Sequence, residues 1–125
     1  MNINRDPQFT RLTIRMLGVY TQMHKVLGGL PVPVLVATPN MELMPSEMID
    51  SASQARETLG SILMHREARA ILKTAVTDWL TATVLMATGS NEHAGAPWAY
   101  AAAMLAFDRA AEEFDRAVLI LHGEE

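Results

Sequence analysis

The stretch GGLPVPVLVATPNMELMP, residues 28–45, constrains the fold more than any other part of the chain. Pro31, Pro33, Pro39 and Pro45 each remove an amide donor and push the preceding residue toward extended geometry. No helix runs through such a segment. Yet Leu30, Val32, Val34, Leu35, Val36, Met41, Leu43 and Met44 are all apolar, and Glu42 is the sole charge. A disordered linker is not built from such residues. VPVLVA has the composition of a strand, but Pro33 restricts it to a sheet edge or to no sheet.

Helical patterns flank it. Asp6 and Pro7 suit an N-cap and a first helical position. Phe9, Leu12, Met16, Val19, Tyr20, Met23, Val26 and Leu27 then recur at spacings of three and four, one helical stripe. Gly28-Gly29 closes it. Beyond the proline segment, Ser46 is the expected N-cap of a second helix, with stripe Met48/Ile49, Ala52, Ala55, Leu59, Ile62 and Leu63. The pattern persists to Thr88. An unbroken helix of that length would reach roughly 64 Å, too long for a 125-residue chain, so a break is expected at Gly60 or at His65–Glu67. A third helix, near 67–88, is apolar around most of its circumference and is expected to be buried nearly all round. GSNEHAGAP, residues 89–97, reads as a loop. A fourth helix spans 97–121, with Met104, Phe107, Ala111, Phe114, Val118 and Leu121 as its seam and FDRAAEE/FDRAVLI as a seven-residue tandem.

These elements predict an all-α fold: one helical domain over residues 1–125, a four-helix bundle with a long extended Pro-rich crossover between helices 1 and 2. Some 16 extended residues reach about 50 Å, more than a 20-residue helix at about 30 Å. The second helix can therefore run parallel to the first, with the crossover in the groove between helices. A swapped arm, an edge strand pairing with its symmetry mate, and a lid over a ligand are the alternatives.

Charge is uneven. Residues 1–27 carry Arg5, Arg11, Arg15 and Lys25 against Asp6, and residues 96–125 carry six acids against Arg109 and Arg116. The first and last helices are expected to be neighbours or to meet across a dimer. A net charge of −4 argues against nucleic acid as a partner. No cysteine is present, which removes thiolate chemistry and suits a cytoplasmic location. The most apolar run, WLTATVLMATG, is too short and Thr-rich to span a bilayer.

No catalytic constellation emerges. None of His24, His65, His93 and His122 has a Glu three residues before it, so a metal is not expected. No phosphate loop is present, and no cofactor is expected. Glu112, Glu113 and Asp115 resemble a piece of the acidic Mg²⁺ sites of helical nucleotide pyrophosphohydrolases, which need a second acidic pair; Glu57 or Asp50 is the nearest source. Half the residues are apolar and only 19% charged, which favours a hidden surface and thus a homo-oligomer or another protein partner. The expected interface is Val32, Val34, Leu35, Val36, Met41 and Met44, methionine suiting adaptable surfaces. The leading expectation is a non-enzymatic interaction protein: an accessory, inhibitor or adaptor. The alternative is a small-molecule pocket between helices 3 and 4, lined by Trp79, Met86, Trp98 and Met104. There Arg66 or Arg69 would anchor an anionic group. Arg66, Arg69 and Lys73 share a helix face, fit either for an anion or for ion pairs with Glu57, Glu67 or Asp78.

Overall fold

The computed structural model describes residues 7–90 and 97–123. Asp6, and Glu92 and His93 of the expected loop, lie outside the described residues. The fold is all-α: four helices, α1 (Pro7–Gly28), α2 (Pro45–Leu59), α3 (Arg66–Ser90) and α4 (Pro97–Leu121), with no strand among the described residues.

α1 buries Leu12, Met16, Val19, Tyr20, Met23 and Leu27, the three-and-four stripe of its sequence. The amide of Gly29 bonds back to Lys25 and Val26, and the Leu27 carbonyl accepts from both Leu30 and Val34. The chain thus doubles back at the helix end. α2 starts one residue before the expected cap. Pro45 takes the first helical position, so the N-cap falls on Met44, at φ −82° and ψ 150°, rather than on Ser46. The Met44 amide donates to Glu47 Oε1 at 2.7 Å. Gly60 closes α2, and residues 60–65 separate it from α3. There the Ala68 amide donates to His65 Nδ1 at 3.3 Å and Arg69 Nη2 donates to the Ile62 carbonyl at 2.7 Å. The break therefore takes in Gly60 and His65, while Arg66 and Glu67 of the second expected position already belong to α3, and Ile62 and Leu63 lie outside any helix.

α3 packs against each of the other three helices. Gly89, expected to open a loop, lies inside α3. Gly89 meets Tyr100, Asp78 meets Arg109, and Thr74 shares a groove with Arg116, so α3 and α4 are antiparallel. Arg15 Nε pairs with Asp108 Oδ1 at 2.9 Å, and Gln22 Nε2 donates to Asp115 Oδ1 at 2.9 Å. α1 and α4 are therefore parallel neighbours, as their opposite charges suggest. Trp79 Nε1 donates to the Met16 carbonyl at 3.1 Å, and Arg56 Nε donates to Thr77 Oγ1. Both α1 and α2 thus run against α3.

Two expectations about burial change. α3 is not buried all round: Ala68, Leu72, Ala75, Val76, Trp79, Ala82, Thr83 and Met86 are buried, but Val84 is exposed. In α4, Phe107 and Phe114 are fully buried as expected, while Met104, Ala111, Val118 and Leu121 are only partly so. The inner face instead carries Ala99, Ala103, Ala106, Ala110 and Ala117. Small side chains let helix axes approach closely, and α3 and α4 make the most extensive pairing in the molecule. Arg66–Gly89 is long and apolar enough to cross a membrane by length and composition, with 33% of its most apolar window buried. The Thr-rich run alone did not suggest this, because the helix continues more than three turns before it. The buried face of α3 belongs to the core cluster shared with α1, α2 and α4.

Candidate functional site

The chain between α1 and α2 has an inner and an outer side. Leu30, Val34 and Val36 enter the core, while Pro31, Val32, Pro33 and Leu35 face outward. The Tyr20 hydroxyl donates to the Ala37 carbonyl at 2.7 Å, and the Ala37 amide donates to Ser51 Oγ at 2.6 Å. One residue is thereby held through both of its backbone groups, from α1 by its carbonyl and from α2 by its amide. Burial pushes the Tyr20 hydroxyl above its ordinary pKa, and the hydrogen bond with Ser51 opposes that shift.

Beyond Ala37 the chain turns outward. Asn40 Oδ1 accepts the Glu42 amide at 2.8 Å, and the Asn40 carbonyl accepts from Leu43. This turn leaves Met41 wholly in solvent, at 103% relative exposure. An apolar slot of about 390 Å³ then opens between Phe9, Thr13 and Met16 of α1, Pro45 and Ile49 of α2, and Thr83, Met86 and Ala87 of α3. Its hydroxyls are engaged within their own helices, Thr13 with Phe9 O at 2.9 Å and Thr83 with Leu80 O at 2.6 Å. No charged side chain lines it. Met44, 59% exposed, directly precedes the lining Pro45.

No family model, curated protein or solved structure matches the chain. The geometry therefore carries the functional argument alone.

Of the six expected interface residues, Val32, Leu35, Met41 and Met44 are exposed. Val34 and Val36 are turned into the protein's own core, where no partner reaches them. Alternation along an extended segment explains the split, since successive side chains point to opposite sides. The six expected ligand residues do not converge. Trp79 is fully buried, bonded to the Met16 carbonyl and packed against the Tyr20 ring, with centroids 5.4 Å apart and the planes tilted by 45°. Trp98 is 63% exposed. Met104 borders a shallow hollow with Arg11 and Tyr100, whereas Met86 lines the slot. Arg66 is exposed at the start of α3, and Arg69 is engaged by Ile62. Arg66 and Met86 are twenty residues apart on one helix, roughly 30 Å, too far to share a small ligand. The hollow that does lie between α3 and α4 is lined by Ala70, Ile71, Thr74, Glu113 and Arg116, none of them an expected ligand residue.

The acidic piece of α4 meets a different partner from those expected. Asp78 of α3, rather than Glu57 or Asp50, faces Glu113, with Arg109 Nη1 4.0 Å from Asp78 Oδ1. Burial, the hydrogen bond to Asp78 and the Asp78 charge push Glu113 up to about 7; Arg109 opposes and Glu112 adds. Asp78 Oδ2 and Glu113 Oε1 are both buried, and as two ionised carboxylates they have no donor to share between them. A proton on Glu113 supplies the donor that two carboxylates lack. No group of three metal-ligating side chains forms among the described residues. Asp78 was the available signal: a lone acid midway along an apolar helix needs a partner on a facing element.

Proposed function

We propose that this chain is a non-enzymatic interaction protein, an accessory, inhibitor or adaptor, working as a homo-oligomeric four-helix bundle. In this reading the protein is one domain, and the long extended Pro-rich crossover between α1 and α2 carries its docking surface. Its partners are further copies of itself and possible other proteins, not nucleic acid or membrane, and its place is the cytoplasm. It needs no cofactor.

One observation carries the proposal. The segment is anchored by its inner side chains and by the Tyr20–Ala37–Ser51 bonds, while Leu35, at 79% exposure, and Met41 and Met44 stand in solvent, Met44 directly before the slot-lining Pro45. Large apolar side chains held outward on an anchored backbone favour a partner, since burying each contributes about 1.5–3 kcal/mol. Anchoring also lowers the ordering cost of association. The measurement is mass in solution by light scattering. The wild-type chain is expected above its 13.7 kDa monomer mass, and Met41→Asp with Met44→Asp is expected to release the monomer with helicity intact. Equal masses for the two proteins overturn the reading.

A second reading follows from the slot itself. A cavity of about 390 Å³ with no charged lining suits an uncharged apolar ligand rather than the anionic one expected from Arg66 or Arg69. Phe9 to Met16 spans about 10 Å along α1. A medium-chain alcohol is the probe. Raised thermal stability that is lost in Met86→Trp, which fills the slot, supports ligand binding; no shift with the wild-type protein removes it.

A further inference from the structure

We infer that the groove between α2 and α3 binds the phosphoryl group of a small phosphate monoester, held by Arg56 and Lys73. This goes beyond the docking role and does not depend on it.

Arg56 lies in the last turn of α2, and Lys73 and Thr77 lie one turn apart on α3. Together with Ala70 and Thr74 they line an open groove of about 380 Å³. The Arg56 guanidinium is fixed in place: its Nε donates to Thr77 Oγ1, whose own hydroxyl donates to the Lys73 carbonyl at 2.8 Å. Its two terminal nitrogens make no hydrogen bond or ion pair among the described residues, and they can face an anion as a planar fork. The Lys73 ammonium has no hydrogen bond or ion pair among the described residues. It stands beside Gly60, where even an added Cβ would keep 3.6 Å from Nζ.

No carboxylate lines this groove. The ion pairs among the described residues are Arg15–Asp108 and Arg109–Asp78, and neither draws on these two cations. What sets Arg56 and Lys73 apart from the other cations without an ion pair is that both are half-buried and line one groove. Partial removal from water weakens their hydration and strengthens their attraction for an oxyanion. Two positive charges match the dianionic state of a phosphate monoester better than the single charge of a carboxylate. The small side chain of Ala70 at the groove edge leaves space for the ester's organic part, and Arg116 lies on the far side of the Ala70–Thr74 ridge.

The test is an amide-resolved NMR titration of the full chain with glycerol 1-phosphate, with sodium chloride at matched ionic strength as the control. Saturable shifts are expected at Gly60, Thr74 and Thr77. Lys73→Gln should weaken binding by about tenfold or more, the effect of one charge-assisted contact. Its fold should stay intact because the ammonium contacts no partner. Arg56→Lys, which keeps the charge and loses the fork, should weaken it as well. Shifts reproduced by chloride, no shift at all, or an unchanged titration curve in the correctly folded Lys73→Gln protein each overturn the assignment.

Discussion

Gly89 shows how a single hydrogen atom decides a packing contact. A Cβ built there would lie 2.5 Å from Cδ1 of the Tyr100 ring, and that ring is itself 6.3 Å from Phe9 between centroids. Alanine at a helical position ordinarily gains up to about 1 kcal/mol over glycine. Here overpacking wins, and Gly89→Ala is expected to lower the unfolding free energy by about 1–3 kcal/mol in urea titration. A stabilised variant would contradict the contact. The sequence offered this glycine as a loop signal, since glycine marks turns more often than close helix approaches. Met44 teaches the same lesson. Ser46 was the better capping side chain, but the proline at position 45 fixes where the helix begins, and Glu47 takes over the pairing.

At the scale of elements, the helices were legible and their faces less so. Spacings of three and four along α1 and α4 marked the stripe from Phe9 to Leu27 and the two phenylalanines of α4 as buried, and they are, except that Phe9 and Val26 are only partly so. Periodicity states which residues are hidden, not which helix hides them. The seam of α4 was therefore drawn through its large side chains, whereas the alanines make the close approach. The proline segment was legible as apolar and unhelical. The division between its inward valines and outward leucine and methionines depends on its anchorage to Tyr20 and Ser51, which contact it only in the folded chain. Tyr20→Phe combined with Ser51→Ala removes both bonds to Ala37. Loss of about 1–3 kcal/mol and faster amide exchange at Ala37 are expected, with helix content unchanged. Exchange at the wild-type rate would mean that the buried valines alone secure the segment.

At the scale of the whole molecule, the Asp78–Glu113 contact between α3 and α4 ties stability to pH. Glu113 holds its proton more tightly folded, with a pKa near 7, than at its ordinary 4.5. The folded state therefore binds more protons between those values, and stability falls as pH rises from about 4.5 through about 7. Solvent screening at this partly exposed site reduces the effect to on the order of 1–2 kcal/mol. Glu113→Gln should flatten the profile over that window, measured as the urea midpoint at successive pH values. A wild-type profile flat from pH 5 to pH 7 on the order of the measurement error would exclude the proton-sharing pair.

The tandem in α4 has a consequence for alignment. Asp108 and Asp115 hold the same place in their repeats, and α1 meets them with Arg15 and Gln22, also seven residues apart. A seven-residue slide of one helix along the other would put Arg15 opposite an aspartate again. Those polar rungs resemble evenly spaced teeth and cannot count their own position. The ring contact repeats too, since Phe107 follows Tyr100, the partner of Phe9, by seven residues; the index mark comes from α3, which holds α1 through Trp79 and the Met16 carbonyl and α4 through Gly89 and the Tyr100 ring.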